Sequence, residues 1–218
     1  MFTEIRVLMK LEFQTEWKNK YALNGILFYT FCMVFLVSLS LSRQVNPAIW
    51  NALFWIILMF SAVNAVARSF LGSPPGIRFY LFTICSASSL IISRILYHSL
   101  LMILMGGITL VGYCFFSGNP VQDLPMYLAC VALGGMGFAS TLTLISGIAA
   151  SAGGNASLMA LLGFPVLIPL LNVLIRSSRI ALDGLDRTLI YSELGFLSGL
   201  ILLSGTLSYL LFPYLWRE

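Results

Sequence analysis

Six long apolar runs constrain this chain more than any other feature of its sequence. A helix needs roughly 20 apolar residues to cross the hydrocarbon of a bilayer, and the runs lie at 22–41, 48–67, 91–115, 126–150, 157–175 and 194–215. Because backbone amides find no partner in hydrocarbon, each run is predicted to be a helix. A β-barrel would need alternating segments of about 10 residues, which these continuous runs are not. Only 9% of the residues are charged, whereas soluble proteins have about 25%.

The distribution of lysine and arginine predicts the orientation of the crossings. Eight basic residues fall on the side of the N-terminal segment, the second connection and the C-terminal segment: Arg6, Lys10, Lys18, Lys20, Arg68, Arg78, Arg94 and Arg217. Four fall on the other side: Arg43, Arg176, Arg179 and Arg187. The positive-inside tendency therefore predicts cytoplasmic termini. The formal net charge of +4 fits a membrane protein and gives no indication of nucleic-acid binding.

The first 21 residues are predicted to form an amphipathic helix. Their charged stretch is too long for the n-region of a cleaved signal peptide. Apolar residues recur about every four positions along one side: Ile5, Leu8, Met9, Phe13, Trp17 and Tyr21. Such a helix lies in the membrane interface with its apolar face toward the lipid. It is either a simple anchor or an elbow helix that leads into the first crossing of a transporter.

No catalytic motif is found in the chain. There is no GxxxxGK[ST] phosphate loop, so the chain is not predicted to hydrolyse ATP on its own. The four cysteines form neither a CxxC nor a CxxCH motif and are interpreted as buried free thiols. His98 is the only histidine, which excludes a site with several histidine ligands. Its position inside the third run favours a hydrogen-bonded packing residue, with a haem ligand as the alternative.

The fourth and fifth runs carry signals of helix packing and helix bending. Small residues, which let helix backbones approach closely, concentrate in the fourth run and include Gly137, Thr141, Gly147 and Ser151. In the fifth run, "LLGFPVLIPLL", Pro165 and Pro169 follow Gly163 near the middle of the membrane. Each proline removes a helical amide, so a kink or a broken helix is predicted. Alternatively, neighbouring groups satisfy the freed carbonyls.

The connection between the fifth and sixth runs, "RSSRIALDGLDRTLIYSE", is too long for a tight turn. Asp183 and Arg187 are spaced i to i+4 with the acid first, which favours a short helix. Together with Arg176 and Arg179, they predict a small interfacial or partly re-entrant helix on the outer face. The alternative is a solvated loop that only connects the two crossings.

The second connection, "RSFLGSPPGIRFY" at 68–80, interrupts the apolar runs with two prolines and two arginines. It is preceded by "LFWIILMFSAVNAVARSF" and followed by "ASSLIISRILYHSLLM". With the paired prolines of "LLGFPVLIPLL", this pattern resembles the permease subunits of type-2 ABC exporters. More closely, it is similar to the haem exporter protein B (CcmB) family of cytochrome c maturation, over essentially the whole chain.

The resemblance implies a fold and a coupling element. It implies an all-α membrane protein of one domain, with an interfacial elbow helix at 1–21 and a six-helix bundle at 22–218. In such permeases the connection between the second and third crossings docks on a separate cytoplasmic ATPase. That element would lie at 67–89 here, with Arg68, Phe70, Pro74, Pro75 and Arg78 as its residues. Many relatives carry acidic residues and a glycine where this chain has "LGSPP" after Phe70.

The resemblance also implies partners and a function. Two copies of the chain, packed through small-residue faces, would pair with two ATPase subunits that bind ATP in an inner membrane. The complex would handle haem at the outer face, together with a haem-handling membrane subunit and a periplasmic haem chaperone. Because His98 stands alone, release of the haem-loaded chaperone is favoured over passage of haem through this chain. The alternatives are a scaffold without ATP coupling and a type-2 permease for another substrate.

Overall fold

The structure, a computed structural model, describes residues 2–18, 20–40, 46–71, 85–151, 156–185 and 187–215. Within these ranges the regular elements are α-helices, in chain order α1 (Phe2–Lys18), α2 (Lys20–Ser40), α3 (Pro47–Leu71), α4 (Ala87–Ser117), α5 (Leu124–Ser151), α6 (Ala156–Leu182) and α7 (Arg187–Leu215). This confirms the all-α class that the length of the apolar runs predicts.

Five of the described helices are long and apolar enough to cross a membrane. The spanning segments are Pro47–Ala67 of α3, Ala87–Ser117, Leu124–Ser151, Leu161–Leu182 of α6 and Ile190–Tyr214 of α7. Their mean hydropathy lies between 1.7 and 2.0. The first predicted crossing corresponds to a shorter apolar segment of α2, Asn24–Ser40. The chain is therefore a multi-pass membrane protein.

Helix α5 lies at the centre of the bundle, in contact with α3, α4, α6 and α7. Its glycines make this possible, because a Cβ at Gly135 would lie 3.2 Å from the backbone of Met102 and Ile103 in α4. A Cβ at Gly134 would overlap the ring of Trp55 in α3. Small residues thus let two neighbouring helices touch α5 directly.

Two further glycines of α5 contact helices of the same chain. Gly137 lies against Leu170 of α6, and Gly147 lies against Phe212 of α7. The central helix of a bundle needs small positions toward its own neighbours, and these two glycines provide them. That two copies of the chain pack through small-residue faces stays a prediction.

Helix α6 is continuous through Pro165 and Pro169, so the helix is not broken there, and the predicted kink at Gly163, Pro165 and Pro169 stays a prediction. Both prolines lie on the exposed side of the bundle, where their rings displace no neighbouring helix. On the opposite side of α6, Leu167 and Leu170 are buried. This packing, with the remaining hydrogen bonds of the ladder, maintains the helix where each proline lacks an amide.

The predicted interfacial helix between the last two crossings does not form as a separate element, and the described part of the connection, 183–185, is a short exposed turn. Helix α6 extends to Leu182 and α7 begins at Arg187. Gly184 has a left-handed φ of 66°, and the amide of Leu185 donates to the carbonyl of Ile180 at 3.0 Å. This is a Schellman motif, in which glycine ends a helix by adopting a conformation that side chains disfavour.

Candidate functional site

The candidate site lies where α1 meets the first turns of α4, next to the second connection. At its centre, Arg94 Nε donates to Glu12 Oε1 at 3.1 Å. The side chains of Arg94 and Glu12 are only 7% and 16% exposed. A charge removed from water is tolerated when it is paired and hydrogen-bonded, so this ion pair fixes α1 on α4.

Two further carboxylates of α1 bind α4 on either side of that pair. Glu4 Oε2 accepts from Ser89 Oγ at 2.9 Å and from Ser86 Oγ at 3.3 Å. Glu16 Oε2 accepts from the hydroxyl of Tyr97 at 2.8 Å. We call this set the α1–α4 clamp: Glu4, Glu12 and Glu16 of α1 with Ser86, Ser89, Arg94 and Tyr97. The contacts follow the same order in both segments, so α1 runs alongside the first turns of α4 in the same direction.

The face of α1 that docks on the bundle differs from the predicted aromatic face. Ile5 and Leu8 are buried and lie on the same side as Glu12 and Glu16. Phe13, which was predicted to belong to the apolar face, is 51% exposed. The partners on α4 select the docked face, because leaving the buried Arg94 unpaired would be more costly than exposing one aromatic ring.

Burial changes the acidity of groups at the clamp. The pKa of Glu16 is raised from 4.5, mainly by burial and further by the charge of Glu12, while the hydrogen bond from Tyr97 lowers it. Burial and the neighbouring Glu4 carboxylate raise the pKa of the Cys85 thiol, which keeps this cysteine in its less reactive protonated form. The clamp thus provides positioning, and its groups are not arranged for nucleophilic catalysis.

His98 is the residue after Tyr97 of the clamp, and its side chain is buried between α4 and α5. Its Nδ1 lies 3.2 Å from Thr143 Oγ1, and its ring meets Tyr97 edge-on at a centroid distance of 5.6 Å. These contacts are typical of a hydrogen-bonded packing histidine. Among the residues that the structure describes, no group of three His, Cys, Asp or Glu is placed to hold a metal ion.

The predicted ATPase-coupling residues fall at the edge of the described chain. Arg68 and Phe70 lie in the last turn of α3, and their side chains are outside the described part. Pro74, Pro75 and Arg78 lie outside the described residues. On the far side of this segment the chain resumes at Cys85, so the clamp begins within two residues of it, at Ser86.

The predicted outer-face residues are placed at the other end of the bundle. Arg176 is exposed on α6, and Arg179 Nε lies 3.5 Å from Asp183 Oδ2. The acid therefore pairs with the arginine four residues before it. Arg187 is the first residue of α7, and its side chain is outside the described part.

A buried hydrogen-bond network at this end of the bundle was not predicted from the sequence. The side chain of Asn51 in α3 donates to the carbonyl of Ile175 at 2.9 Å and accepts from Tyr127 at 3.0 Å. Ser178 Oγ donates to Asn51 at 2.9 Å and accepts from the indole of Trp55 at 2.7 Å. The network ties α3, α5 and α6 together, since each member would be costly to bury unpaired.

The clamp was not predicted either, although its acids left a signal. Glu4, Glu12 and Glu16 are separated by multiples of four, which places them along one side of a helix. A one-sided row of acids indicates a cationic or hydroxyl-bearing partner. Sequence alone does not show that the partner lies about 80 residues further along the chain.

Comparison with protein families and with curated proteins identifies no relative of this chain. No family model matches this chain, and no curated protein is significantly similar to it.

Proposed function

We propose that this chain is the permease subunit of an ABC exporter, in which a separate cytoplasmic ATPase drives movement of the membrane helices. In line with its resemblance to the haem exporter protein B family, the complex handles haem for the assembly of c-type cytochromes. Its work is done at the outer face of an inner membrane, as release of a haem-loaded periplasmic chaperone. This chain contributes no ATPase site of its own.

The observation that carries the proposal is the α1–α4 clamp. It follows directly on the segment that would dock on the ATPase, and it joins α4 to the helix that precedes the first crossing. A displacement of that segment would therefore move α1 and α4 as one unit. Rigid movement of packed helices about an interface is a general way to transmit a local change across a protein.

The path along which movement would pass from the clamp into the bundle also supports the proposal. From the clamp, α4 continues through His98 to its direct backbone contact with Gly135 of α5, the helix that touches most of the bundle. Movement at the start of α4 would thus reach the helices that carry the outer-face residues Arg176 and Arg179. The proposed partners are two ATPase subunits, a second copy of this chain, a haem-handling membrane subunit and the chaperone.

Affinity purification of the chain from its native membranes tests this function. The wild type is compared with a variant in which residues 72–78 are replaced by a flexible Gly/Ser segment. We expect the wild type to copurify with an ATPase, identified by mass spectrometry, and the variant to lose that subunit or its coupled turnover in liposomes. The matched control replaces residues 118–121 at the opposite end of the bundle and should retain both.

The outcomes separate the competing functions. An ATPase that binds both forms and turns over equally would contradict coupling through 72–78. Absence of any ATPase from both preparations would favour a membrane scaffold without ATP coupling. An ATPase whose turnover responds to a substrate other than the haem-loaded chaperone would retain the permease and change its cargo.

A further inference from the structure

The exposed side of α1 carries basic and apolar residues but no acid. Arg6 and Lys10 are exposed and lie four residues apart, so they are neighbours on one face of the helix. Val7 and Leu11, which are 63% and 44% exposed, each follow one of the two basic residues. Within the part of the chain that the structure describes, neither Arg6 nor Lys10 forms a salt bridge. This side of α1 is therefore cationic and partly apolar.

The clamp is the reason for this separation of charge. The sequence of α1 contains three acids and three basic residues, which alone predicts a helix of no net charge. In the folded chain all three acids, Glu4, Glu12 and Glu16, bind α4. The opposite side of the helix keeps its positive charge with no acid beside it. The complementary partner of such a surface is an anion.

The position of α1 along the bundle places this side at the level of the lipid headgroups. Helix α4 has 31 residues and is about 46 Å long, against a hydrocarbon thickness of about 30 Å. Its excess length lies at its start, where Ser89, Ser93 and Arg94 are polar. Helix α1 packs on that part of α4 through the clamp. Its exposed side therefore points away from α4 at the boundary of the hydrocarbon.

A phospholipid matches both properties of this surface. Arginine and lysine both bind phosphate groups, and their long side chains can lie along apolar surface while the charge reaches the headgroup. Val7 and Leu11 offer contact to the upper part of an acyl chain, which a soluble phosphate does not have.

We infer that the exposed side of α1 is a binding site for an anionic phospholipid, with Arg6 and Lys10 at the headgroup and Val7 and Leu11 against its acyl chains. The site lies in the leaflet at the α1 end of the bundle. The apolar residues Ile5 and Leu8, which were predicted to face the lipid, are buried in the bundle instead. Lipid therefore contacts the opposite side of the helix from the one that the apolar spacing predicts.

This inference does not depend on the transport role, and its test uses no ATPase. The full chain in non-ionic detergent is titrated with phosphatidylglycerol or with phosphatidylcholine of the same acyl chains. Native mass spectrometry measures the affinity for the first lipid bound. We expect tighter binding of phosphatidylglycerol. Arg6→Gln and Lys10→Gln should each lower that affinity about fivefold, whereas Lys10→Arg should retain it. The control Arg176→Gln removes the same charge at the other end of the bundle and should leave the affinity unchanged.

The apolar half of the site has its own test. Leu11→Gln should weaken the binding of both lipids, and inorganic phosphate, which has no acyl chain, should not displace them. As a second measurement, phosphatidylglycerol should raise the unfolding midpoint of the wild type more than that of Arg6→Gln, because a ligand stabilises the state that binds it. Without lipid the two midpoints should agree, since Arg6 is exposed.

Three results would overturn the inference. The first is equal binding of the two lipids to the wild type. The second is wild-type affinity for phosphatidylglycerol in a variant with both Arg6→Gln and Lys10→Gln, which would leave the basic surface to an acidic segment of a protein partner. The third is displacement of the lipid by inorganic phosphate, which would mean that the surface recognises a soluble anion.

Discussion

At the scale of single residues, the contact between α1 and α4 includes one buried ion pair. Glu12→Ala leaves the guanidinium of Arg94 buried without its carboxylate, and removing one partner of a buried charged hydrogen bond costs about 2–3 kcal/mol. We expect the unfolding midpoint in mixed detergent micelles containing dodecyl sulfate to fall accordingly. Arg6→Ala, on the exposed side of the same helix, is the control and should change little. Equal effects of the two substitutions would show that the ion pair does not stabilise α1.

Glu16 gives the clamp a pH dependence. Because burial raises its pKa above 4.5 in the folded chain, the folded state holds its proton more tightly than the unfolded state. This contribution to stability is complete below about 4.5 and is lost as pH rises through the raised pKa. Glu16→Gln cannot titrate but keeps an oxygen for the hydroxyl of Tyr97.

The variant should therefore gain stability relative to the wild type as pH rises from 4.5 toward neutrality. The measurement is the difference between the two unfolding midpoints over that range. A difference that stays constant with pH would contradict the shifted pKa. Glu4→Gln serves as the comparison at the other end of the clamp.

At the scale of helices, the fit of α4 against α5 rests on a glycine. A methyl group at Gly135 would approach the backbone of Met102 and Ile103 to 3.2 Å, and backbone cannot move aside as a side chain can. Gly135→Ala should cost about 1–3 kcal/mol through overpacking. Gly112→Ala in α4, where no atom lies within 4 Å of the added carbon, should be neutral or slightly stabilising.

Unfolding midpoints of the two alanine variants check this expectation. If both variants unfolded like the wild type, α4 and α5 would have room between them, and the direct route from the clamp to the central helix would be lost.

The sequence predicted the helices better than their connections, for identifiable physical reasons. Apolar runs of spanning length are expected to be helical in lipid, and five of the six predicted runs correspond to helices long and apolar enough to span. The polar residues around Ser177 and Ser178 were assigned to the connection after the fifth crossing, yet both serines are buried. Ser178 belongs to the network of Asn51, and α6 continues to Leu182, just before the left-handed Gly184. Burial of a polar residue depends on distant partners, which periodicity does not identify.

The same limit applies to the candidate site. The face of α1 was predicted from apolar spacing, which correctly included Ile5 and Leu8. It missed Glu12 as an inward residue, because only the buried position of Arg94 on α4 makes that carboxylate face the bundle.

At the scale of the whole molecule, the contacts of α2 bear on how many times the chain crosses the membrane. Its apolar segment Asn24–Ser40 is only about 25 Å long at 1.5 Å per residue, against a hydrocarbon thickness of about 30 Å. The whole helix, Lys20–Ser40, has 21 residues and is about 32 Å long. Ser38 Oγ lies 2.8 Å from Ser117 Oγ at the end of α4, whereas α1 is clamped at the start of α4.

Because α2 leads from one end of α4 to the other, we expect six crossings and a cytoplasmic position for both α1 and the end of α7. Parity makes this testable: an even number of crossings places α1 and the end of α7 on one side, and five would place them on opposite sides. Cysteines introduced as Arg6→Cys, Tyr214→Cys and Asn119→Cys are exposed on α1, on the last turn of α7 and in the turn after α4. With a membrane-impermeant thiol reagent, Arg6→Cys and Tyr214→Cys should react from the cytoplasmic side and Asn119→Cys from the other. Reaction of Arg6→Cys from the same side as Asn119→Cys would mean that α2 returns without crossing, and the permease architecture would then lack its first helix.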